Sequence, residues 1–307
     1  MFKKEDYPMI PYNWSTTDNR PSRSSLNKVV IDIKTTDDHL DMDTDESYIL
    51  TVPISGEAVL QAETVYGALH GLETLSQLVQ YYPERRSYYI PNVPWKISDF
   101  PKYKHRGILL DTSPLSWNKL NVFHWHMLDS TSFPYVSKKY PELAAKGAYS
   151  PRHVYTAMDI KKIVQYAKER GVRVIPEMEA PGHSTAWGYE LTKYVAPLNI
   201  AHPKTKEVVY GLIDEWAELF PDSFFHAAGD EVIMQCWSND TYITDHLQKN
   251  NQTLIQLFEE FVLDMEDHVR QKNKTVIVWQ EMLLEYHFNL PKDTVIQVWI
   301  GSEGVKE

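Results

Sequence analysis

From His105 onward, apolar runs ending in polar or aromatic residues recur at 107–113, 120–129, 172–179, 224–231, 275–282 and 294–301, with amphipathic stretches at about 157–170, 204–219 and 252–271. Strands separated by helices pair in parallel, because a helical crossover brings the chain back to run in the same direction. Residues able to do chemistry fall at the C-terminal ends of successive strands, which favours a barrel over a doubly wound sheet. The helix at 157–170 carries its own start signal, the capping spacing from Thr156 to Asp159, and its own stop in Gly171. The predicted fold class is α/β, a (β/α)8-type TIM barrel with about six strands present, preceded by a small α+β domain.

The leading domain is predicted over 1–100 and the barrel over 101–307. Residues 1–25, with Pro8, Pro11 and Pro21 and no periodicity, are predicted to be an irregular arm. Val29, Ile31 and Ile33 alternate with polar partners, as do Tyr48, Leu50 and Val52, so both runs predict half-buried strands. Leu69, Leu72, Leu75, Leu78 and Val79 recur at helical spacing between Val65 and Tyr82, giving a face to pack upon them.

Composition excludes some functions. A net charge of −11 without clustered Lys and Arg argues against nucleic acid as a partner. No apolar run is long enough to span a bilayer, and the opening MFKKEDYPMI lacks the apolar stretch of a signal peptide. Four Asn-x-Ser/Thr acceptors, at Asn13, Asn239, Asn251 and Asn273, nevertheless suggest the secretory pathway. The expectation is an extracellular or vacuolar/lysosomal protein whose leader is not in this chain. Nine Trp and nineteen Tyr are many, and flat aromatic faces suit sugar rings as well as cores. The lone cysteine, Cys236, has no internal disulfide partner and is expected to be an inert buried thiol.

The run Phe224-Phe225-His226-Ala227-Ala228-Gly229-Asp230-Glu231-Val232 ends a strand in two adjacent carboxylates, the groups that cleave glycosidic bonds. Sequence neighbours cannot easily flank a substrate from opposite sides, so Asp230 and Glu231 do not fit the usual pair of opposed carboxylates. His124 and His126 share a strand face and invite comparison with zinc ligands, but no third ligand has suitable spacing. No metal and no cofactor are predicted.

The acidic run resembles the signature of the family 20 glycoside hydrolases, the β-N-acetylhexosaminidases, with Ala228 where that family has glycine. Asn118–Asp129 resembles the family's second barrel strand, Glu177–Ser184 its third strand and following loop, His105–Ser113 its first, and Glu63–Leu75 the helix of its leading domain. The resemblance implies exo-hydrolysis of terminal GlcNAc or GalNAc with retained configuration and a glycan bearing terminal N-acetylhexosamine as partner; it leaves a homodimer open. It makes Glu231 the acid that protonates the leaving oxygen, and Asp230 the carboxylate that orients the acetamido nitrogen. It puts Asp129 and His183 behind the acid, Arg106 on the sugar hydroxyls, and Trp279, Glu281 and Trp299 around the acetamido pocket.

Some features depart from that pattern. Between Ser113 and Leu120 there is too little chain for the crossover that parallel neighbours need. The first barrel helix, a loop at Pro197-Leu198 and the last two strands look abridged against the family. With them go a tyrosine for the acetamido oxygen and a cysteine partner for Cys236, neither of which can be assigned here. A catalytically impaired sugar-binding remnant or incomplete gene product is therefore the alternative to an active enzyme. An endo-acting, chitinase-like enzyme fits Arg106 and Trp279-Gln280-Glu281 less well.

Overall fold

The structure is a computed structural model and describes residues 24–82, 87–108, 116–187 and 197–301. The predicted arm falls almost wholly outside the described residues, as do most of the first predicted barrel strand and the crossover that follows it. The chain divides into two compact units: residues up to Arg106 together with Ser116–Lys119, and the remainder.

In the leading unit, β1 (Leu26–Ile33), β2 (Tyr48–Val52) and β3 (Gly56–Ala62) precede α1 (Val65–Leu78). A small hairpin of β4 (Gln80–Tyr82) and β5 (Ser87–Tyr89) follows, and then β6 (Trp95–Asp99). The main sheet has the order β1-β3-β2-β6, with only the β1–β3 pair parallel. In β2, Tyr48, Leu50 and Val52 are buried and Ile49 is exposed, the alternation expected of a half-covered strand. β1 is an edge strand, and its predicted inward residue Ile31 is exposed.

The packing face of α1 also differs from the leucine stripe. Leu69 is exposed, and the buried positions include Gly67, Ala68, Gly71 and Leu75. A Cβ on Gly71 would collide with Leu60, and one on Gly67 with the Ser47 carbonyl, so the glycines let helix and sheet approach.

The second unit is built on β7 (Gly107–Ile108), β8 (Val122–His126), β9 (Arg173–Glu177), β10 (Phe224–His226), β11 (Thr275–Trp279) and β12 (Val295–Gln297). All neighbours pair in parallel and in chain order, with no reversal of winding, as a barrel requires. Its helices are α2 (Pro141–Gly147), α3 (Ala157–Lys168), α4 (Pro203–Leu219), α5 (Met234–Ser238), α6 (Thr241–Asn250), α7 (Leu254–Arg270) and α8 (Glu281–Leu284). Thr156 and Asp159 cap α3 reciprocally, and Gly171 follows it with φ 70°.

Val174, Phe225, Val276 and Val278 of the strands share one core with Leu212, Trp216, Phe261 and Val269 of the helices. Below it, Arg173 and Asp222, both buried, form a bidentate pair at 2.7 and 2.8 Å. No described helix is long and apolar enough to cross a membrane. The fold is a TIM-barrel sheet with a small α+β unit ahead of it.

Candidate active site

The register puts His126, Glu177 and His226 level on three adjacent strands. Beyond that level the chain leaves the sheet, and the chemistry gathers there. β10 stops at His226, short of the predicted 231, although Ala227 and Ala228 still bond to β11 before the chain turns. Ala228, Gly229 and Glu231 have φ of 48°, 100° and 47°, all left-handed. Such a conformation costs a non-glycine residue about 1–3 kcal/mol. The loop is held by Ala228 N–H donating to His226 Nδ1 at 3.1 Å and by Trp279 N–H donating to the Ala228 carbonyl at 3.1 Å. Two glycines let neighbours close on it: a Cβ on Gly182 would lie 2.8 Å from the Asp230 carbonyl, and one on Gly229 would lie 2.9 Å from Met282 Cε. The turn brings the neighbouring Asp230 and Glu231 side chains to one imidazole.

His183, itself at φ 43°, is the meeting point. Its Nδ1 is 3.3 Å from Asp129 Oδ1, and its Nε2 is 3.2 Å from Glu231 Oε2 and 3.5 Å from Asp230 Oδ2. The Asp129 contact engages Nδ1 and leaves Nε2 facing the acid loop. Asp230 is largely buried, and that burial is the main reason its pKa rises to about 6; the charges of Glu177 and Glu281 add to the rise, while His183 opposes it. Glu231 is different: its side chain is 57 % exposed, so it can meet a substrate from solvent.

Beneath lies a buried network that sequence reasoning did not assign. Glu177 Oε1 accepts the Trp279 indole N–H at 2.6 Å, and Oε2 lies 2.9 Å from His124 Nε2. Burial alone would raise Glu177, but its histidine neighbours outweigh that and hold it well below the usual carboxylate range. His226 is fully buried and stacks on His124 at 4.6 Å, and burial drives its pKa down to about 3, so it is neutral. Glu179, 2.9 Å from His126 Nε2, is pushed well above the ordinary range by burial and then by the charges of Glu177, Asp230 and Asp129. The available signal was a carboxylate at the end of a strand buried along its whole length, with a second carboxylate two residues on.

Trp279, Glu281 and Trp299 form a second group. Glu281, 4 % exposed, accepts the Trp299 indole N–H at 2.9 Å, and the two indoles meet edge to face at 6.3 Å. Gln280 Oε1 accepts from the backbone N–H of Trp299 and Ile300, fixing the segment after β12.

Arg106 falls in the leading unit. It precedes the first residue of β7, whereas the site lies at strand C-terminal ends, and its guanidinium is engaged inside the leading unit. Nη2 donates to Glu46 at 2.7 Å, Nη1 to the Tyr103 carbonyl at 2.7 Å and Nε to the Lys119 carbonyl at 2.8 Å. These bonds occupy the guanidinium that the resemblance assigned to sugar hydroxyls.

The spacing argument against metal ligands also needs correction. Glu177 comes to both histidines of β8, so that His124, Glu177 and His226, or His126, Glu177 and Glu179, present ligand atoms within 4.8 Å. In the first set the donors are already in use: His226 Nδ1 takes the Ala228 N–H and Glu177 takes the indole. Cys236, on α5 just past the acid loop, is a free thiol, half-buried rather than buried.

Residues 103–307 match the description "Glycosyl hydrolase family 20, catalytic domain", and residues 1–78 match "beta-acetyl hexosaminidase like". The chain belongs to glycosyl hydrolase family 20. Among its relatives is the Beta-hexosaminidase subunit B2 of Dictyostelium discoideum, 35% identical over 90% of this chain and 56% of its own length. Among solved structures, the chitobiase of Flavobacterium johnsoniae superposes with TM-score 0.78 at 31% identity, covering 89% of this chain and 45% of that one. The GH20 exo beta-N-acetylglucosaminidase of Vibrio harveyi, in complex with N-acetylglucosamine, gives 0.75 at 25%, covering 90% and 49%. This family 20 chain thus spans about half the length of the relatives it matches. Its departure from the family signature, Ala228, occupies a left-handed position, which is where a glycine is conformationally at ease.

Proposed function

We propose that the protein is a retaining, substrate-assisted β-N-acetylhexosaminidase that removes terminal GlcNAc or GalNAc from glycans or chitin oligosaccharides. One observation carries the reading: Asp230 and Glu231 face the same imidazole, with the three ligand atoms within 4.8 Å of one another. Two carboxylates on one side of a substrate cannot be acid and opposed nucleophile, so the nucleophile must come from the substrate.

The acetamido oxygen attacks C1 while the C1–O bond breaks toward the leaving oxygen, which takes the Glu231 proton. Asp230, ionised, accepts the acetamido N–H and balances the charge of the cyclic intermediate. Glu231 then takes a proton from water, whose oxygen attacks C1 and reopens the ring, so two inversions give retention. Asp129 and His183 hold the acid loop in position; Trp279, Glu281 and Trp299 wall the acetamido pocket.

The Vibrio harveyi structure, with N-acetylglucosamine bound, supports the sugar class. An extracellular or vacuolar/lysosomal location is supported by Asn239, Asn251 and Asn273, all exposed glycan acceptors.

The test is release of a chromophore from an aryl β-N-acetylglucosaminide, with Glu231→Gln as control. Turnover that falls by about 10²–10⁴-fold in the variant is expected. A parent that binds N-acetylglucosamine without turnover would instead favour the impaired sugar-binding remnant, and one that neither binds nor turns over would sink both.

A further inference from the structure

The ring of Tyr149 is 71 % exposed, yet the segment carrying it is braced on both sides. Ala148 N–H donates to the Ala144 carbonyl at 3.0 Å as α2 ends, and His153 N–H donates to the Ser150 carbonyl at 3.0 Å just beyond. The Gly147 carbonyl accepts from Phe133 N–H at 2.8 Å, and a Cβ there would lie 2.7 Å from the Ala186 carbonyl and 2.8 Å from Phe133 Cβ. Those contacts pin the segment beside the turn from Asp129 to Ser132, whose ends exchange two backbone hydrogen bonds of 3.1 Å.

The hydroxyl of Tyr149 donates to Thr131 Oγ1 at 2.8 Å, and Thr131 donates in turn to Asp129 Oδ2 at 3.2 Å. The other Asp129 oxygen faces His183 Nδ1, and His183 Nε2 faces Glu231. Asp129 is thus held from both sides, by the Thr131 hydroxyl on one oxygen and by the His183 ring on the other.

Building on the family reading above, we propose that Tyr149 is the aromatic platform of a leaving-group subsite, its ring stacking on the sugar next to the terminal N-acetylhexosamine while its hydroxyl braces Asp129. Glu231 is the exposed member of the acid pair and delivers its proton on the solvent side, where the departing sugar lies. The inward groups, Glu177 and Glu281, are buried and engaged by indoles, so they serve the terminal residue. A departing sugar needs an exposed, rigid, flat face on the Asp129 side, and Tyr149 offers it. A tethered ring loses little freedom on stacking, which lowers the cost of binding.

The experiment uses the whole protein carrying Glu231→Gln, which prevents turnover, titrated calorimetrically with N-acetylglucosamine and with its β1,4-linked disaccharide. Tyr149→Ala should weaken disaccharide binding by about tenfold, in line with a lost aromatic contact, while monosaccharide affinity stays within about twofold. Tyr149→Phe should retain the disaccharide preference, since the ring remains. Equal losses for both sugars, or none in the alanine variant, would overturn the platform while leaving the enzyme reading intact. If the Glu231→Gln protein binds neither sugar, the enzyme reading fails and the subsite fails with it.

Discussion

Asp230 shows most plainly how one residue's surroundings set its chemistry. Its pKa near 6 lies above the ordinary aspartate range, so the native state binds the proton more tightly than the unfolded chain does. The penalty of ionising it is absent below the ordinary carboxylate range and full above about pH 6. Asp230→Asn should therefore raise stability at neutral pH by about 2 kcal/mol and abolish turnover, as urea unfolding and a rate assay on the same sample would reveal. An unchanged midpoint would mean that the site does not strain the fold. His183 works in the opposite sense, holding Asp230 down through its charge. In His183→Gln that restraint goes, and the acid limb of the kcat/KM profile should move to higher pH by about one pH unit. A limb that stays put, or moves to lower pH, would break the link between the imidazole and Asp230.

At the scale of elements, the loop after β10 decides what the strand can present. Its left-handed residues are held by close neighbours, so substitutions of opposite kind should have opposite signs. Ala228→Gly relieves a left-handed residue at φ 48° and should stabilise by about 0.5 kcal/mol net of the freedom glycine gains when unfolded. Gly182→Ala sets a methyl 2.8 Å from the Asp230 carbonyl, so it should destabilise by about 1–3 kcal/mol and lower kcat by displacing the acid loop. If denaturant midpoints move the same way for both, the strain argument is wrong. The strands and long helices of the barrel were legible in the sequence because their periods and caps are local, as in Thr156 and Asp159. The α2, α5 and α6 segments were not, being short or carrying a weaker apolar stripe. Nor was the helix face in the leading unit, since leucine spacing does not reveal that glycines set the closest approach.

For the molecule as a whole, Arg106 marks the limit of reading function from position in the chain. It stands beside a barrel strand in sequence, but its guanidinium is committed to Glu46, 60 residues earlier, and that partner follows only from the fold of the leading unit. The same holds for Glu177, whose role appears once Trp279, 102 residues later, is brought to it. If Arg106 is structural, Arg106→Ala should leave N-acetylglucosamine affinity within about twofold and cost about 2–3 kcal/mol of stability, because it strips a cation from a carboxylate 4 % exposed. His70 makes the prediction sharper. Its Nε2 lies 3.6 Å from Glu46, and burial, with a contribution from Arg106, lowers its pKa, so in the parent it is neutral at pH 7 and resists acidification. Without Arg106 the pKa of His70 rises, and a raised histidine pKa stabilises the native state below it and not above it. The parent and variant stabilities should therefore lie furthest apart at neutral pH and converge as the pH falls toward about 5. Chemical denaturation at both pH values gives the answer: a gap that widens on acidification, or a lost sugar affinity with stability intact, would return Arg106 to the binding site.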